Sequence, residues 1–333
     1  IVLLPAILLG LTTSIRILGP LAGALVVLYF LSLRKSAAFK WLAVYALIAI
    51  VSMIITWPLL WEGPVTKLIE TARFMTNNPT ALRVLFYGKL YRANSLPLRY
   101  LPVMFLYTLS EPLWPLAILG AIAAAARTRL KDIEWRSLAV TLLWFAIPFA
   151  YVLWKRPPMY DGFRHFMFIL PPIFVLAGLA IEAFFRRIAN PAVRIALIAL
   201  LLFPGIIAAV RLHPYEYTYY NLFAGGTNHA AFNFETDYWL TCYKEAVETL
   251  HPAPWDGHTL FVKREGYIAA YYAEDGIRIV DTSLSHEKPR RGDYVLDNSR
   301  ANPSLQRYRT QDEFIRVIRD HAVFCVIEKH TTK

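Results

Sequence analysis

The chain has 333 residues, of which 56% are hydrophobic and 18% charged, and its mean hydropathy is +0.39. This composition excludes a disordered or low-complexity protein, because such proteins combine few apolar residues with high charge. The formal net charge is +11, yet residues 1–210 hold 20 Lys and Arg against 7 Asp and Glu, whereas residues 211–333 hold 15 against 17. Basic residues that flank apolar segments are an orientation signal for a bilayer, so we expect membrane lipid and not nucleic acid as a partner.

Apolar runs of about the length that crosses a hydrocarbon core recur through the first 210 residues. Five runs predict transmembrane helices: 17–33, 41–57, 138–154, 166–184 and 195–210. A sixth stretch, 98–126, contains Pro112 and Pro115, which favour an interfacial or half-inserted helix followed by a crossing. The sequence therefore predicts a polytopic α-helical membrane domain over 1–210, with about six crossings and an outer loop at 58–97.

The orientation of this domain follows from its short connections. Ten basic residues lie in three of them, residues 34–40, 127–136 and 186–194. Under the positive-inside rule these three connections face the cytoplasm. The opposite side then receives the loops 58–97 and 155–165 and everything after residue 210, which predicts an integral protein of the plasma (inner) membrane.

Residues 211–333 have the pattern of a small soluble α/β domain, which we expect outside the cytoplasm. Short runs rich in β-branched and aromatic residues predict four strands: 258–262, 277–280, 293–296 and 322–327. Helical spacing predicts three helices: 240–250, 267–272 and 312–318. Cys242 and Cys325 are expected to be free thiols, because a cysteine in an apolar strand commonly behaves as a small buried hydrophobe.

Cofactor and metal chemistry find no support in the sequence. No glycine-rich phosphate-binding loop is present, and the eight histidines and two cysteines lack the paired spacing of metal ligands. We therefore predict no cofactor and no metal.

The loop 155–165 between two predicted spans carries the densest polar chemistry of the membrane part. Its candidate substrate-binding residues are Tyr160, Asp161, Arg164 and His165. Cationic side chains at this depth suit an anionic headgroup. The alternative is an ordinary hydrated loop in which Asp161 and Arg164, at positions i and i+3, pair with each other.

Arg16 interrupts an apolar stretch that runs from residue 1 to residue 30. A cation there is costly unless it reaches an interface or a partner, and a lipid phosphate is one such partner. The alternative is an arginine that snorkels between two helices.

The segment 211–221 leaves the last predicted span with four tyrosines, and it also contains His213 and Glu216. The membrane interface accounts for the tyrosines, because amphipathic rings prefer the headgroup layer. It accounts less well for His213 and Glu216, which are candidates for binding a sugar. Asp237, Tyr238 and Trp239 precede a predicted helix, where capping or packing is the favoured explanation.

The order of these features resembles a known family. The motifs are Arg16 in the first apolar stretch, Phe86-Tyr87-Gly88 followed by Pro97 and Tyr100, Arg164-His165 before Pro171-Pro172, and His213-Pro214-Tyr215 leading to Asp237-Tyr238-Trp239. This arrangement resembles glycosyltransferase family 39, the protein O-mannosyltransferase and lipid A aminoarabinose transferase type of C-fold membrane glycosyltransferase. The resemblance extends over nearly all of the chain.

The resemblance implies a membrane hexosyltransferase-like enzyme. Such an enzyme moves a sugar from a polyprenyl-phosphate donor to a hydroxyl of a protein, lipid or glycan acceptor on the non-cytoplasmic face. The family uses an acidic residue in its first outer loop. Because this chain opens inside an apolar stretch, we expect that residue and further spans upstream, and no catalytic residue is assigned here.

Two other functions fit parts of the sequence. A transporter or lipid flippase would bind its ligand near the midplane, between repeated halves that are not visible here. A non-enzymatic anchor would present the C-terminal domain to partners, which leaves the broken helix and the basic outer loops unexplained.

Overall fold

The computed structural model of the protein describes residues 2–32, 37–76, 82–126, 134–250, 258–306 and 313–331. The chain forms two compact units. The first consists of Ile1–Thr80, Leu116–Pro158 and Phe166–Arg187, and the second of Ala81–Pro115, Met159–His165 and Ile188–Lys333. The units divide the chain by packing, whereas the boundary predicted at residue 210 divides it by composition.

All the regular secondary structure in the described residues of the first unit is helical. Its helices are α1 (Leu3–Ile15), α2 (Pro20–Ser32), α3 (Ala37–Thr56), α4 (Pro64–Thr76), α7 (Trp135–Lys155) and α8 (Pro171–Phe185), together with most of α6 (Leu113–Ala126). Short 3₁₀ turns at Pro58–Glu62 and Arg164–Ile169 precede α4 and α8.

Three helices of the described chain are long and apolar enough to cross a membrane, namely Phe39–Thr56 within α3, α7, and α9 (Pro191–Leu212). A fourth crossing results if α6 and the preceding α5 (Tyr100–Thr108), which are bent apart at residues 109–112, form one broken span. This matches the break predicted at Pro112. The remaining predicted crossings correspond to the shorter apolar helices α2 and α8, so the count of about six stays a prediction.

Small residues allow close helix packing in the first unit. A Cβ atom on Gly10 of α1 would overlap the carbonyl oxygen of Ala49 on α3. A Cβ atom on Gly120 of α6 would likewise overlap the backbone of Leu176 on α8. Such close approach is typical of helices that pack inside a bilayer, where van der Waals contact replaces the hydrophobic effect.

The predicted outer loop 58–97 contains regular structure along most of its described length. Helix α4 lies in its first half, and strands β1 (Arg83–Phe86) and β2 (Lys89–Arg92) form an antiparallel hairpin in its second half. Tyr87 and Gly88 form the turn with φ values of 50° and 71°, the left-handed geometry of a tight hairpin turn. The connection between the flanking apolar helices is therefore a structured one, and its predicted location on the outer side stays a prediction.

The C-terminal part of the second unit is an α/β domain, as predicted. Its helices are α10 (Gly226–Ala230), α11 (Cys242–Thr249) and α12 (Gly266–Tyr272), and its strands are β3 (Thr259–Val262), β4 (Arg278–Asp281), β5 (Tyr294–Asn298), β6 (Glu313–Arg319) and β7 (Ala322–Lys329). The strand order is β4-β3-β5-β7-β6, with β3 parallel to β4 and β5 and the other pairs antiparallel. The inner face of α11 packs with the sheet in one core that includes Tyr243, Val247, Leu260, Leu296 and Phe324.

Two predictions for this domain are wrong. Residues 313–319 form strand β6 instead of a helix, because the β-branched residues Ile315, Val317 and Ile318 pair with β7; Asp312 lies outside the described residues. Cys242 and Cys325 form a disulfide, with their Cα atoms 5.8 Å apart. The core brings the start of α11 onto β7 at the separation that a disulfide requires, and their sequence distance of 83 residues hides this proximity.

Candidate functional site

The loop segment Met159–His165 is held firmly within the second unit. The amide of Met159 donates to the carbonyl of Ala93 at 3.0 Å, and the amide of Gly162 donates to the hydroxyl of Tyr100 at 3.1 Å. Asp161 and Gly162 have φ values of 56° and 69°, so the chain turns in left-handed backbone geometry that glycine adopts without cost. These contacts fix the direction in which the charged side chains of the loop point.

Asp161 is bridged by two arginines although it is almost fully buried. Its Oδ2 lies 2.8 Å from Nη2 of Arg164, and its Oδ1 accepts from Nη2 of Arg300 at 2.9 Å. The aspartate side chain is 2% exposed, against 12% for Arg300 and 25% for Arg164. The predicted Asp161–Arg164 pair is therefore present, but it belongs to a buried three-residue bridge and not to a hydrated surface loop.

Arg164 is surrounded by aromatic rings. Its guanidinium carbon lies 4.8 Å from the ring centre of Trp239, 5.2 Å from that of Tyr160 and 5.8 Å from that of Tyr238. Its Nε donates to Nε2 of His165 at 3.3 Å, which makes that ring nitrogen an acceptor. Arg164 is thus a positioned, partly accessible cation between aromatic faces.

Glu235 is a second buried carboxyl beside Asp161. Its Oε2 accepts from the backbone amide of Asp161 at 3.3 Å, and the residue is 5% exposed. Burial, followed by the negative charge of Asp161, raises the pKa of Glu235 to about 8, although Arg300 and Arg264 oppose the shift. Burial also raises the pKa of Asp161, against the lowering effects of Arg300, Arg164 and Arg264. At neutral pH Glu235 is therefore mainly a neutral carboxylic acid that can donate a hydrogen bond.

The other predicted site residues make none of the contacts described for this cluster among the described residues. Arg16 belongs to the first unit and is exposed in the turn between α1 and α2, so a joint site with Arg164 and His165 stays a prediction. His213 and Glu216 form their own pair, Nδ1 to Oε1 at 2.7 Å, on the exposed surface that follows α9. The backbone amide of Glu216 and then the His213 side chain lower the pKa of Glu216.

Asp237 has the structural role that its position suggests. It is fully buried, and its carboxylate accepts from the amides of Thr241 and Cys242 at 3.0 and 2.9 Å at the start of α11. Within the described residues, Asp237, Cys242 and Cys325 are close enough together to hold a metal ion. The two sulfurs are bonded to each other, however, so this group is not a candidate metal site.

An open cleft of about 520 Å³ lies beside strands β6 and β7. It is lined by Asn228, Phe232, Gln306, Arg316, Ile318, His321 and Val323. Gln306 binds the backbone of Val323 in both directions, at 2.6 and 2.9 Å, so part of this lining is engaged in structure. None of the predicted site residues lines this cleft.

Three participants, Glu235, Arg264 and Arg300, are absent from the site that the sequence predicts. Each is separated from Asp161 by more than 70 residues, and only the tertiary fold brings them together. One signal was available: Arg264 and Arg300 each lie two residues beyond the end of a strand, where ligand-binding residues of α/β sheets concentrate.

Comparisons with protein-family models, with curated proteins and with solved structures find no match for this chain. The function of the protein is therefore inferred from the geometry of the site and from the resemblance of its sequence motifs.

Proposed function

We propose that the protein is a membrane glycosyltransferase of the family 39 type, which moves a sugar from a polyprenyl-phosphate donor to an acceptor hydroxyl on the non-cytoplasmic face. The observation that carries this proposal is the bridge in which buried Asp161 holds Arg164 between the rings of Tyr160, Tyr238 and Trp239. The bridge places a fixed cation beside aromatic faces, which suit the phosphate and the sugar of such a donor.

Arg164 suits the phosphate of the donor. A guanidinium presents several N–H donors in one plane, and two of them can bind two oxygens of one phosphate at the same time. The salt bridge to Asp161 fixes the side chain in advance, so little order is lost when a ligand arrives. A quarter of the side chain stays accessible to a ligand.

The rings beside Arg164 suit the sugar. Trp239 is 57% exposed and offers an apolar face of the kind on which pyranose rings pack. Tyr160 contacts His165 edge to face, with ring centres 4.8 Å apart, so both predicted residues adjoin the same cation. His213 and Glu216 are not assigned a contact with the sugar in this proposal.

The reaction requires little more of this site than binding and charge stabilisation. The acceptor oxygen bonds to the anomeric carbon, the bond from that carbon to the phosphate oxygen breaks, and its electron pair leaves with the lipid phosphate. A carboxylate base takes the acceptor proton. Asp161 does not serve as this base, because both of its oxygens are bound to guanidinium groups. Arg164 stabilises the phosphate as its negative charge increases.

The membrane and the compartment are part of the proposal. Three apolar helices give the chain access to a lipid carrier, and we extend them to a bundle of about six crossings in the plasma membrane. Disulfides form and persist in oxidising compartments. The Cys242–Cys325 bond therefore supports a location of the α/β domain outside the cytoplasm.

Sugar transfer by the purified full-length protein tests this function. The protein in detergent is mixed with a radiolabelled polyprenyl-phosphate sugar and with pooled membrane or cell-wall acceptors, and labelled product is separated from donor. We expect product that depends on enzyme and time. In a parallel experiment the protein is reconstituted in vesicles, and movement of the same donor between leaflets without transfer would replace the proposal with a flippase. Neither transfer nor movement would favour the anchor.

A further inference from the structure

In the α/β domain, the chain continues to opposite sides of the sheet after two neighbouring parallel strands. From β3 the chain passes through α12 to β4 on one side, whereas from β5 it continues to β6 and β7 on the other side. Strands β3 and β5 lie side by side, with Val262 opposite Leu296. The crevice outside the carboxyl ends of such a strand pair is where open α/β sheets bind ligands.

An arginine follows each of these two strands at the same distance. Arg264 comes two residues after β3, and Arg300 comes two residues after β5. Between the strands, Lys263 pairs with Asp297 at 2.5 Å, and neither arginine takes part in this pair. Arg300 is bound through its Nη2 to Asp161. Both guanidinium charges act on the same two carboxyls, Asp161 and Glu235, so they lie near each other.

The side-chain amide of Asn298 connects the two turns that carry Arg264 and Arg300. The Asn298 Oδ1 accepts from the amide of Arg300 at 3.2 Å, and its Nδ2 donates to the hydroxyl of Tyr243 at 2.8 Å. That hydroxyl donates in turn to the carbonyl of Arg264 at 2.8 Å. Asn298 is 3% exposed and Tyr243 is fully buried, so this connection is shielded from water. The backbone positions of the two arginines are therefore coupled by buried hydrogen bonds.

Three buried polar atoms here have no partner within the described residues: Nη1 of Arg264, Nε of Arg300 and Oε1 of Glu235. Buried polar groups are nearly always hydrogen-bonded, and an unpaired one costs free energy. Two of these atoms are cationic donors, and Glu235 in its neutral form adds a third donor and no negative charge. Three donors that lack acceptors match a ligand rich in acceptor oxygens.

We propose that the crevice at the carboxyl ends of β3 and β5 binds a phosphate group through Arg264 and Arg300, with Glu235 as a further hydrogen-bond donor. The α/β domain is then a ligand-binding domain in its own right. This site does not depend on sugar transfer, because its occupant is defined by its oxyanion and can come from the lipid carrier or from a soluble phosphate ester.

Phosphate-dependent thermal unfolding of the full-length protein in detergent tests the site. Inorganic phosphate is titrated against chloride at constant ionic strength, with wild type, Arg264→Gln and the exposed Arg291→Gln as the matched loss of charge. We expect wild type and Arg291→Gln to be stabilised alike. Arg264→Gln should need roughly 10- to 100-fold more phosphate for the same stabilisation, because it loses a charge-assisted hydrogen bond. Equal responses of the two variants would overturn the proposal.

If Arg264→Gln does not fold, the Arg264→Lys variant tests the phosphate site instead. Lysine keeps the charge and loses the planar fork, so its phosphate affinity should fall several-fold, and an unchanged affinity would count against the site. A second titration with polyprenyl phosphate in micelles identifies the source of the phosphate. Competition with inorganic phosphate assigns the crevice to the carrier, and simultaneous binding assigns it to a soluble ester. Phosphate binding without any sugar transfer would remove the proposed enzyme and leave this site intact.

Discussion

Helix α9 and the cluster around Asp161 reverse the usual distribution of apolar and charged side chains. Of the 22 residues of α9 only Leu212 is buried, and large apolar side chains such as Leu200, Leu202 and Ile206 are more than half exposed. In the cluster, two carboxyls are 2% and 5% exposed. Apolar residues are outside and ionisable groups are inside, within the same unit of the chain.

The comparison shows that the two regions need different surroundings. A helix that is apolar on all sides is stable when an external apolar medium covers it, which a bilayer provides. Buried charges are stable when each has a partner of opposite sign, and Asp161 has two. Exposure alone therefore does not distinguish core from surface in this protein; the chemistry of the side chain and its partners does.

Removing the charge of Asp161, at the centre of the cluster, should have the largest effect on the free energy of unfolding. Asp161→Ala leaves Arg164 and Arg300 without their shared anion, and the loss of one member of a buried ion pair costs about 3–5 kcal/mol. Asp275→Ala removes an exposed aspartate of the same unit and should change stability by less than about 0.5 kcal/mol. Thermal or denaturant unfolding in detergent compares the two variants. Similar losses in both would mean that the bridge contributes no particular stability.

Adding a charge to α9 should have the next largest effect. An arginine at the centre of a membrane helix costs about 2.5–3.5 kcal/mol of insertion free energy, so Leu202→Arg should lower the fraction of protein that resists extraction from membranes. Leu284→Arg is the control, because Leu284 is 87% exposed in the α/β domain. Alkaline extraction of membranes measures both. If Leu202→Arg is as well tolerated as Leu284→Arg, α9 faces water.

The third effect concerns the proton on Glu235. Burial raises the pKa of Glu235 from the ordinary value of 4.5 to about 8 in the native state. Between these two pH values the native state therefore binds more protons than the unfolded state. Wild-type stability should therefore fall as the pH rises from about 4.5 to about 8. Glu235→Gln is neutral at every pH and should remove this slope, so that the variant is more stable than wild type at pH 9. Parallel unfolding curves of the two proteins across this range would contradict a protonated Glu235.

Sequence patterns within short segments predicted the helices and strands whose formation depends mainly on their own residues. Runs of β-branched residues identified β3, β4, β5 and β7, and long apolar runs identified α3, α7 and α9. Strand β6 was missed because its spacing also fits a helix and its pairing with β7 decides the outcome. The β1–β2 hairpin was missed because Tyr87-Gly88 is a weak turn signal. The amide of Gly88 also donates to the carbonyl of Asn233, a residue far along the chain.

The site could be predicted only where its residues are neighbours in sequence. Tyr160, Asp161, Arg164 and His165 share one loop, and their grouping was visible from charge alone. Arg300 reaches Asp161 across 139 residues, and Glu235 reaches it across 74. The disulfide joins residues 83 apart. Such contacts depend on the packing of the sheet, which no local pattern in one sequence records.

Donor kinetics of Arg164→Gln test the central claim most directly. Initial rates of sugar transfer are measured against the concentration of polyprenyl-phosphate sugar for folded, quantified full-length protein, with Arg291→Gln as the control for loss of an exposed charge. If Arg164 binds the donor phosphate, kcat/KM should fall roughly 10- to 100-fold in Arg164→Gln, with partial recovery in Arg164→Lys, and stay at the wild-type value in Arg291→Gln. An unchanged kcat/KM in a folded Arg164→Gln protein would contradict the assignment.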